Sequence, residues 1–539
     1  MARVLMINPI VRQEDVPQHV PYGLALLASI IEAEGHQYQV YDANAWRASD
    51  EVLTEIIKAD DWDVVAIGGI STTYRYVKKT LELVDLHAPR ALIVVGGGLM
   101  TSIPQDIMRL MPVIDVGVIG EAFQTFSEVL WMADKKDRDW EKINGIIWRD
   151  ESGVCHLTPP RSVIENLDSL PYPKWDVFPL DIYFRNSGSL MGSEENMLSQ
   201  RRLDVNGSFG CPFICRFCFH LGLAGDMQYV ETETGPDVIF THQRANRLHS
   251  PRYIVNMVKY LRYRFGVDNV AFLDENLLAM NVAAGKKWLP EICDLWIKEG
   301  LQPFCIREGI PHRPESCDGV HWSGTSHATL ATPELMRTMR QAGCTSLIYG
   351  LESFSKRVLK NVGKGATPEA NERAIRVTLE AGIRPIPNQI MGFPDDFFDS
   401  FRDSVQAWER LGIQVRPFFA TPYPGSEWYS KYKPKILDQY HGDLEAFLLD
   451  LGDATRLSAV ICENFDAVEL LGLRELMVNR DFKRIDEYEQ VWRKVHGEPH
   501  FSDVRWEPAS KAHAKSARLH TVVGEPARDE GRAAAVKNG

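Results

Sequence analysis

One segment sets the interpretation of the whole chain: Asn206-Gly-Ser-Phe-Gly-Cys-Pro-Phe-Ile-Cys-Arg-Phe-Cys-Phe-His220. Its cysteines, Cys211, Cys215 and Cys218, are spaced C-x3-C-x2-C, and Phe217 directly precedes the last of them. Thiolates this close in sequence can point into one enclosed volume, and their sulfur atoms suit iron–sulfur clusters or zinc. A structural zinc ion needs four ligands, and His220 is the one close candidate for the fourth. Three cysteines on a 4Fe-4S cluster leave one iron open, so the spacing favours a catalytic cluster, with zinc as the alternative.

Length and charge limit the classes of protein that the chain can belong to. It has 539 residues, a formal net charge of −13 and a pI of about 5.7. This length predicts roughly two to four domains. The acidic balance argues against a nucleic-acid partner or an anionic membrane surface. The apolar runs 64–70 and 91–95 are far too short to span a bilayer, so we expect no membrane span.

Cysteine usage points to a reducing compartment. Outside the cluster segment the chain has six scattered cysteines, Cys155, Cys293, Cys305, Cys317, Cys344 and Cys462. So few, without regular spacing, are not typical of a disulfide scaffold. The chain also opens directly into a strand-like run, with no apolar signal-peptide core after Met1. We therefore expect a cytoplasmic protein.

The first 137 residues alternate between short apolar runs and helical patterns. Strands are predicted at 3–9, 38–41, 64–67, 91–95 and 116–119, with amphipathic stretches between them. This rhythm predicts a doubly wound, Rossmann- or flavodoxin-like α/β domain with a parallel sheet covered on both faces. Ligands of such sheets sit beyond the carboxyl ends of the strands.

Small and hydroxyl-bearing residues follow three of these strands. Glycine lets a ligand lie against the backbone, and hydroxyl groups supply short-range donors. The alternative is a set of tight turns found in any domain of this class. No G-x-G-x-x-G follows the first strand, so a dinucleotide site is not expected. The candidate binding residues are Gly68, Ser71, Thr72, Thr73, Gly96, Gly97, Gly98, Gly120, Glu121 and Thr125.

From residue 205 the pattern changes to longer strand–helix units. The predicted strand 270–273 runs into Asp274 and Glu275, and the strand 345–349 runs into Glu352 and Ser353. Polar residues at the carboxyl ends of barrel strands gather at the mouth, where catalytic groups lie. For Asp274 and its neighbours the alternative is helix capping. A further strand, 384–390, carries Gln389 and ends in a Gly-Phe-Pro turn.

Residues 305–325 are rich in Pro, His and Gly and are predicted to be irregular. Cys305, His312, Cys317 and His321 fall in this stretch. Their spacing matches no familiar metal site, so we interpret the stretch as a loop that shapes the substrate site. The predicted organisation of the chain is a domain at 1–137, a linker with a hairpin at 138–204, a barrel core at 205–424, a helical C-terminal cap at 425–505 and a disordered tail at 506–539.

The cysteine motif, together with Gly-Leu-Glu352-Ser353 and Gly-Phe-Pro394, resembles the radical S-adenosylmethionine (SAM) superfamily. A doubly wound domain ahead of such a core resembles the cobalamin-binding domain of cobalamin-dependent members. The resemblance implies a partial (β/α)6 barrel and three cofactors, a 4Fe-4S cluster, SAM and cobalamin. It implies SAM contacts for Phe217, Asp274, Glu275, Glu352, Ser353 and Gln389. It also implies that cobalamin is held by the glycine loops and by its nucleotide tail, with no protein histidine on cobalt, so we do not expect His87 to be a ligand.

The same resemblance implies a reaction. It predicts methylation of an unactivated carbon of a small-molecule or lipid metabolite, in an anaerobic enzyme that takes electrons from a low-potential donor of the flavodoxin or ferredoxin type. The alternatives are an oxidative cyclisation, like that of the anaerobic porphyrin cyclase, and a corrinoid-binding protein without turnover. No residue of the sequence identifies the substrate or a catalytic acid or base.

Overall fold

The computed structural model of the chain describes residues 1–135, 138–189, 197–219, 225–232, 235–244, 246–314 and 317–501. His220 and the tail at 506–539, which the sequence predicts to be disordered, lie outside the described residues.

The first domain is built on a seven-stranded sheet. Its strands are β1 (Arg3–Asn8), β2 (Gln37–Asp42), β3 (Val64–Gly68), β4 (Leu92–Gly96), β5 (Val116–Val118), β6 (Ile146–Arg149) and β7 (Cys155–Leu157). They lie in the order β2-β1-β3-β4-β5-β6-β7, and the first five are parallel. The doubly wound fold is therefore confirmed. The predicted hairpin is present too, but it extends this sheet antiparallel to β5, so the first sheet continues past residue 137.

Helices cover both faces of this sheet. They are α1 (Tyr22–Ala33), α2 (Ala43–Trp46), α3 (Asp50–Lys58), α4 (Tyr74–His87), α5 (Gly97–Ser102), α6 (Pro104–Leu110) and α7 (Ala122–Ala133). Residues 4–8, 64–67 and 92–95 of the strands are buried throughout. Burial on both faces explains why these strands read as continuous apolar runs.

The second sheet is a partial barrel of six parallel strands. They are β8 (Arg202–Val205), β13 (Asn269–Phe272), β14 (His321–Ser326), β15 (Cys344–Glu352), β16 (Arg384–Met391) and β17 (Phe418–Phe419), in the order β17-β16-β15-β14-β13-β8. Each neighbouring pair is parallel. Short strands β9 (Ser208–Phe209) and β12 (Arg247–Leu248) pair beside it, and β10 (Gly225–Thr232) and β11 (Gly235–Arg244) form a hairpin.

Helices surround the barrel and follow it. They are α8 (Leu180–Arg185), α9 (Pro251–Phe265), α10 (Leu277–Ala283), α11 (Trp288–Lys298), α12 (Phe304–Glu308), α13 (Pro333–Gln341), α14 (Lys356–Val362), α15 (Pro368–Glu380), α16 (Phe398–Leu411), α17 (Glu427–Gln439), α18 (Leu444–Asp450), α19 (Ala467–Val478) and α20 (Phe482–His496). The last four form the predicted helical region. Among the residues that the structure describes, no helix is both long and apolar enough to cross a membrane.

The prediction that residues 305–325 are irregular is wrong at both ends, because α12 covers its beginning and β14, the third barrel strand, covers its end. Its sequence, His-Trp-Ser-Gly-Thr-Ser, has no apolar run to mark it. Trp322 nevertheless packs on Phe272 and Trp296, and Gly324 gives Phe272 and Leu277 room to approach. Small residues and one indole thus replace the usual branched side chains.

One hydrophobic core joins the two domains. Tyr22 and Leu26 of α1 belong to the same buried cluster as Ile254 and Val258 of α9, with Trp175 of the connecting segment between them. At the other side, the Tyr74 hydroxyl in α4 donates a hydrogen bond to Glu445 of α18 at 2.8 Å. The C-terminal helices therefore pack on the first domain as well as on the barrel.

Candidate functional site

The loop that carries Cys211, Cys215 and Cys218, called the cysteine loop below, is held between two helix ends. The Arg216 N–H donates to the Val362 carbonyl at the end of α14, at 3.1 Å, and the Arg216 carbonyl accepts from the Trp428 N–H at the start of α17, at 3.2 Å. Within the loop, the Cys218 N–H donates to the Cys215 carbonyl at 3.0 Å. This tight turn holds neighbouring thiols on one short piece of backbone, as a cluster held by three cysteines requires.

Aromatic rings support the loop from two sides. The Phe217 ring centroid lies 5.8 Å from that of Trp428 and 6.4 Å from that of Phe393, in the predicted Gly-Phe-Pro turn. On the other side, Phe213 stacks on His327 with centroids 3.9 Å apart and planes 8° apart. These contacts fix the loop against β14 and β16 without using the thiols.

His327 is a site residue that the sequence did not reveal. It follows β14, the strand that lacks an apolar run, so no pattern drew attention to it. Its Nε2 donates to the Lys364 carbonyl at 2.9 Å, and its Nδ1 faces the Thr329 hydroxyl at 2.8 Å. Burial and the nearby Lys364 charge lower the pKa of His327 to about 4. The ring is therefore neutral at physiological pH and serves as a flat platform for Phe213.

A buried ion pair lies beside the loop. Lys364 Nζ is 2.5 Å from Glu352 Oε1, and both side chains are almost fully buried. Glu352 has a φ of 59°, a left-handed conformation that is unusual for glutamate and costs roughly 1–3 kcal/mol. A Cβ at Gly350 would lie 2.4 Å from Glu352 Oε1 and 2.6 Å from Lys364 Nζ, which explains the glycine two residues earlier.

Asp274 and Glu275 hold the start of the loop. Asp274 is fully buried, and its carboxylate accepts hydrogen bonds from the Gly207 N–H at 2.9 Å and from the Ser208 hydroxyl. Burial raises the pKa of Asp274 to about 7. Glu275 accepts from the Gly210 N–H at 3.3 Å. Both carboxylates thus lie at the strand end where they were expected, and their contact with SAM stays a prediction.

The other two predicted SAM residues are placed differently. Ser353 accepts a hydrogen bond from the Ser355 N–H at 3.1 Å and shapes the turn after β15. Gln389 accepts from the indole N–H of Trp408 in α16, so its side chain lies on the helix side of β16. Since successive strand residues point to opposite faces, Asn388 faces the barrel interior in its place. Gln389 is thus engaged with α16 in this structure, and its predicted contact with SAM stays a prediction.

An apolar cavity of about 310 Å³ opens at the carboxyl end of the first sheet. Its depth is formed by the sheet and by helices α1 and α7, and its mouth lies between the glycine loops and the start of the cysteine loop. The inner lining includes Met6, Ala66, Val94, Val118, Leu24, Leu27 and Phe126. The mouth includes Gly68, Gly96, Gly97, Gly120 and Glu121 from the first domain, with Asn206, Phe209, Gly210 and Glu275 from the barrel.

Five of the predicted loop residues therefore line this cavity, whereas Ser71, Thr72, Thr73, Gly98 and Thr125 do not. The Thr73 hydroxyl closes its own turn by donating to the Ile70 carbonyl at 2.8 Å. The Thr125 hydroxyl donates to the Asn144 carbonyl at 3.3 Å. Glu121 is also engaged, since its carboxylate binds the Arg247 guanidinium of the barrel.

Gly98 marks the contact between the two domains at the cysteine loop. A Cβ there would lie 2.9 Å from the ring of Phe219, which directly follows Cys218. On the opposite side, a Cβ at Gly425 would also lie 2.9 Å from this ring. The cysteine loop thus touches the loop after β4 through one aromatic side chain held between two glycines.

His87 lies near the amino-terminal ends of the strands of the first sheet. It lines a shallow polar depression with Asp63 and Ala91, which immediately precede β3 and β4. The amino ends of the strands are opposite the glycine loops. His87 is thus not among the residues that line the apolar cavity, and the expectation that it does not bind cobalt stays a prediction.

Comparison with known proteins assigns both domains. Residues 205–407 match the Radical SAM superfamily, and residues 10–130 match the B12 binding domain. The chain is a cobalamin-dependent radical SAM enzyme. This combination of domains uses a 4Fe-4S cluster, SAM and cobalamin.

Relatives and solved structures agree with this assignment. An uncharacterised methyltransferase of Pyrococcus horikoshii is 28% identical over 407 residues, 75% of this chain and 77% of that one. The anaerobic magnesium-protoporphyrin IX monomethyl ester cyclase of Rubrivivax gelatinosus is 23% identical over 447 residues, 80% of this chain and 70% of that one. The radical SAM methyltransferase TsrM of Kitasatospora setae, with cobalamin and a 4Fe-4S cluster bound, shares the fold at 18% identity and a TM-score of 0.60, covering 81% of this chain and 78% of that one.

The residues present fit these cofactors. Cys211, Cys215 and Cys218 supply three thiolates on one clamped loop. The apolar cavity between the sheet and helices α1 and α7 suits the nucleotide tail of a corrinoid, and its volume lies at the lower end of small-molecule sites.

Proposed function

We propose that this enzyme transfers a methyl group to an unactivated carbon of a small-molecule or lipid substrate. The observation that carries the proposal is the shared opening of the two domains. Glycine loops of the B12-binding domain and residues that flank the cysteine loop line the same cavity mouth. Substrate bound at this opening lies within reach of both cofactor domains.

The protein's own residues prepare this opening. When bound, the cofactors supply hydrogen-atom abstraction and a methyl group, and the protein orders the reactants. The rings around the cysteine loop and the buried Glu352–Lys364 pair fix the cluster side. Holding reacting groups together converts an encounter in solution into an effectively unimolecular step. In this proposal the electrons come from a cytoplasmic flavodoxin or ferredoxin of low potential.

The proposal is tested with SAM that carries a deuterated methyl group. Holoenzyme, a low-potential reductant and a metabolite extract are incubated without oxygen, and the products are analysed by mass spectrometry. We expect 5′-deoxyadenosine, S-adenosylhomocysteine and one metabolite that gains the labelled methyl group. The variant with Cys211, Cys215 and Cys218 all changed to alanine should form none of them.

A second candidate is oxidative cyclisation, which the 23% identity to the porphyrin ester cyclase over 80% of the chain favours. In that case SAM cleavage would accompany a product lighter by hydrogen atoms, without S-adenosylhomocysteine and without label. This outcome would replace methylation as the proposed reaction.

A further inference from the structure

Four potential metal ligands converge outside the cysteine loop. They are Cys305 of α12, His312 and Cys317 of the following segment, and His321 at the start of β14. One ligand atom from each lies within 4.8 Å of all the others. Cys305 and His321 are buried, while His312 and Cys317 are half-buried. Their spacing in sequence suggested no metal site, because the strand that brings His321 beside Cys305 was not recognised.

The distances match the edges of one coordination tetrahedron. Cys305 Sγ lies 3.7 Å from His312 Nδ1, 3.4 Å from His321 Nε2 and 3.4 Å from Cys317 Sγ. A tetrahedral zinc ion with Zn–S of about 2.3 Å and Zn–N of about 2.0–2.1 Å separates its ligand atoms by about 3.3–3.8 Å. The two sulfur atoms are also much farther apart than the roughly 2.05 Å of a disulfide.

We propose that Cys305, His312, Cys317 and His321 bind one structural zinc ion. Two thiolates and two imidazoles are a donor set that zinc takes in closed, four-coordinate sites. A two-iron centre with the same residues would place the cysteines on one iron and the histidines on the other. Here all four ligand atoms lie within 4.8 Å of one another, close enough to share a single ion. Binding of zinc releases the two thiol protons to solvent, which balances the ion's charge.

The position of the site indicates a structural role. His321 is the first residue of β14, and its N–H donates to the Asp268 carbonyl just before β13, at 2.9 Å. The site therefore lies at the amino ends of the barrel strands, whereas Glu352 and the cysteine loop lie at the carboxyl ends. Zinc would tie α12 to β14 across the connecting segment, without contact with the reaction. This inference is independent of the proposed function.

The test uses the full-length holoenzyme, grown with zinc and purified anaerobically with its cluster loaded. Metal analysis should give about one zinc per chain, and X-ray absorption at the zinc edge should give two sulfur and two nitrogen neighbours. Cys317→Ala and His312→Ala, at half-buried positions, should each lower zinc at least tenfold and leave the iron content unchanged. Cys155→Ala, which removes a thiol in β7, is the matched control and should keep its zinc.

Three results would overturn the proposal. One is zinc-free wild-type protein. Another is a zinc shell of three sulfurs that disappears when Cys211, Cys215 and Cys218 are replaced, since that zinc would occupy the cluster loop. The third is a Cys305–Cys317 disulfide in the wild-type protein by mass spectrometry. If Cys317→Ala fails to fold, the X-ray absorption spectrum of the wild type and the zinc content of His312→Ala still test the proposal.

Discussion

Lys364 Nζ lies 2.5 Å from Glu352 Oε1, next to the loop that carries the cluster cysteines. Burial by itself would lower the pKa of Lys364, but the charges of Glu352, Cys215 and Cys218 outweigh it and raise the pKa. The ammonium group therefore stays protonated. It gives the cluster loop a fixed positive charge and anchors a glutamate whose backbone is strained.

Lys364→Met should destabilise the protein and lower the potential of the cluster. The substitution leaves Glu352 buried without its partner, which costs about 3–5 kcal/mol. It also removes a cation that stabilises the electron added on reduction. Urea unfolding and a redox titration followed by electron paramagnetic resonance measure the two effects. Lys360→Met, at an exposed position of α14, is the control. Equal potentials in the two variants would show that Lys364 does not act on the cluster.

Asp274→Asn should flatten the dependence of stability on pH. Burial raises the pKa of Asp274 to about 7, against about 3.9 in an unfolded chain. Between these values the folded protein holds a proton that the unfolded chain has lost, so stability falls as pH rises from about 4 to about 7. One such group contributes at most about 1.4 kcal/mol per pH unit.

The measurement is the urea midpoint of the full chain from pH 5 to pH 8. Burial raises the pKa of Asp396 to about 7 as well, while the lowered pKa of His327 gives a slope of opposite sign below about pH 6.5. The stability of Asp274→Asn should therefore fall less steeply with pH than that of the wild type, by the contribution of one carboxyl group. Asp176→Asn, at an exposed position, should keep the wild-type slope. A slope unchanged by Asp274→Asn would mean that the folded protein does not protonate this carboxyl group.

Gly98→Ala should disturb the cluster loop from the other domain. The new methyl group would lie 2.9 Å from the Phe219 ring, which Gly425 confines on its far side. Overpacking of this kind costs about 1–3 kcal/mol. We expect lower thermal stability and a changed paramagnetic spectrum of the reduced cluster. Gly472→Ala adds a methyl group in open space within α19 and should change neither. A native spectrum in Gly98→Ala would contradict the contact.

Ala66→Phe should abolish retention of cobalamin without unfolding the protein. Ala66 lies on β3 and lines the apolar cavity, which has room for a phenyl ring. Protein produced with hydroxocobalamin and then desalted should hold at least tenfold less corrinoid than the wild type. His87→Ala, at the amino-terminal ends of the strands, should keep both the corrinoid content and the absorption spectrum of the wild type. Loss of a histidine-ligated spectrum in His87→Ala would refute the absence of a protein ligand on cobalt.

Most of the fold could be predicted because buried parallel strands carry a simple signal. The runs at 3–9, 64–67 and 91–95 are apolar on both faces, and glycine or proline ends them. Strand β14 was not predicted because, between its first and last residues, it consists of one tryptophan, a glycine and two hydroxyl residues. Within the predicted helical region at 425–505, α19 and α20 are separate helices because Arg480 adopts a φ of 55° between them.

The site could be predicted where one short motif carries it, as in the cysteine loop or Gly-Leu-Glu352. Partners from different elements could not, since no local pattern pairs Glu352 with Lys364 or stacks Phe213 on His327. Whether the Gln389 side chain faces the barrel interior or the surrounding helices depends on a shift of one residue along β16. Such a shift exchanges the two faces of a strand.

Because α1 and α9 share one hydrophobic core, the two domains have to be exchanged together when proteins of this kind recombine. Tyr22 and Leu26 lie early in the chain, yet they belong to the same buried cluster as Ile254 and Val258. A chimera joined at a conventional domain boundary would divide this interior between two parent proteins whose side chains never fitted one another. New substrate specificity is therefore better sought by exchanging loops around the cavity mouth than by exchanging whole domains.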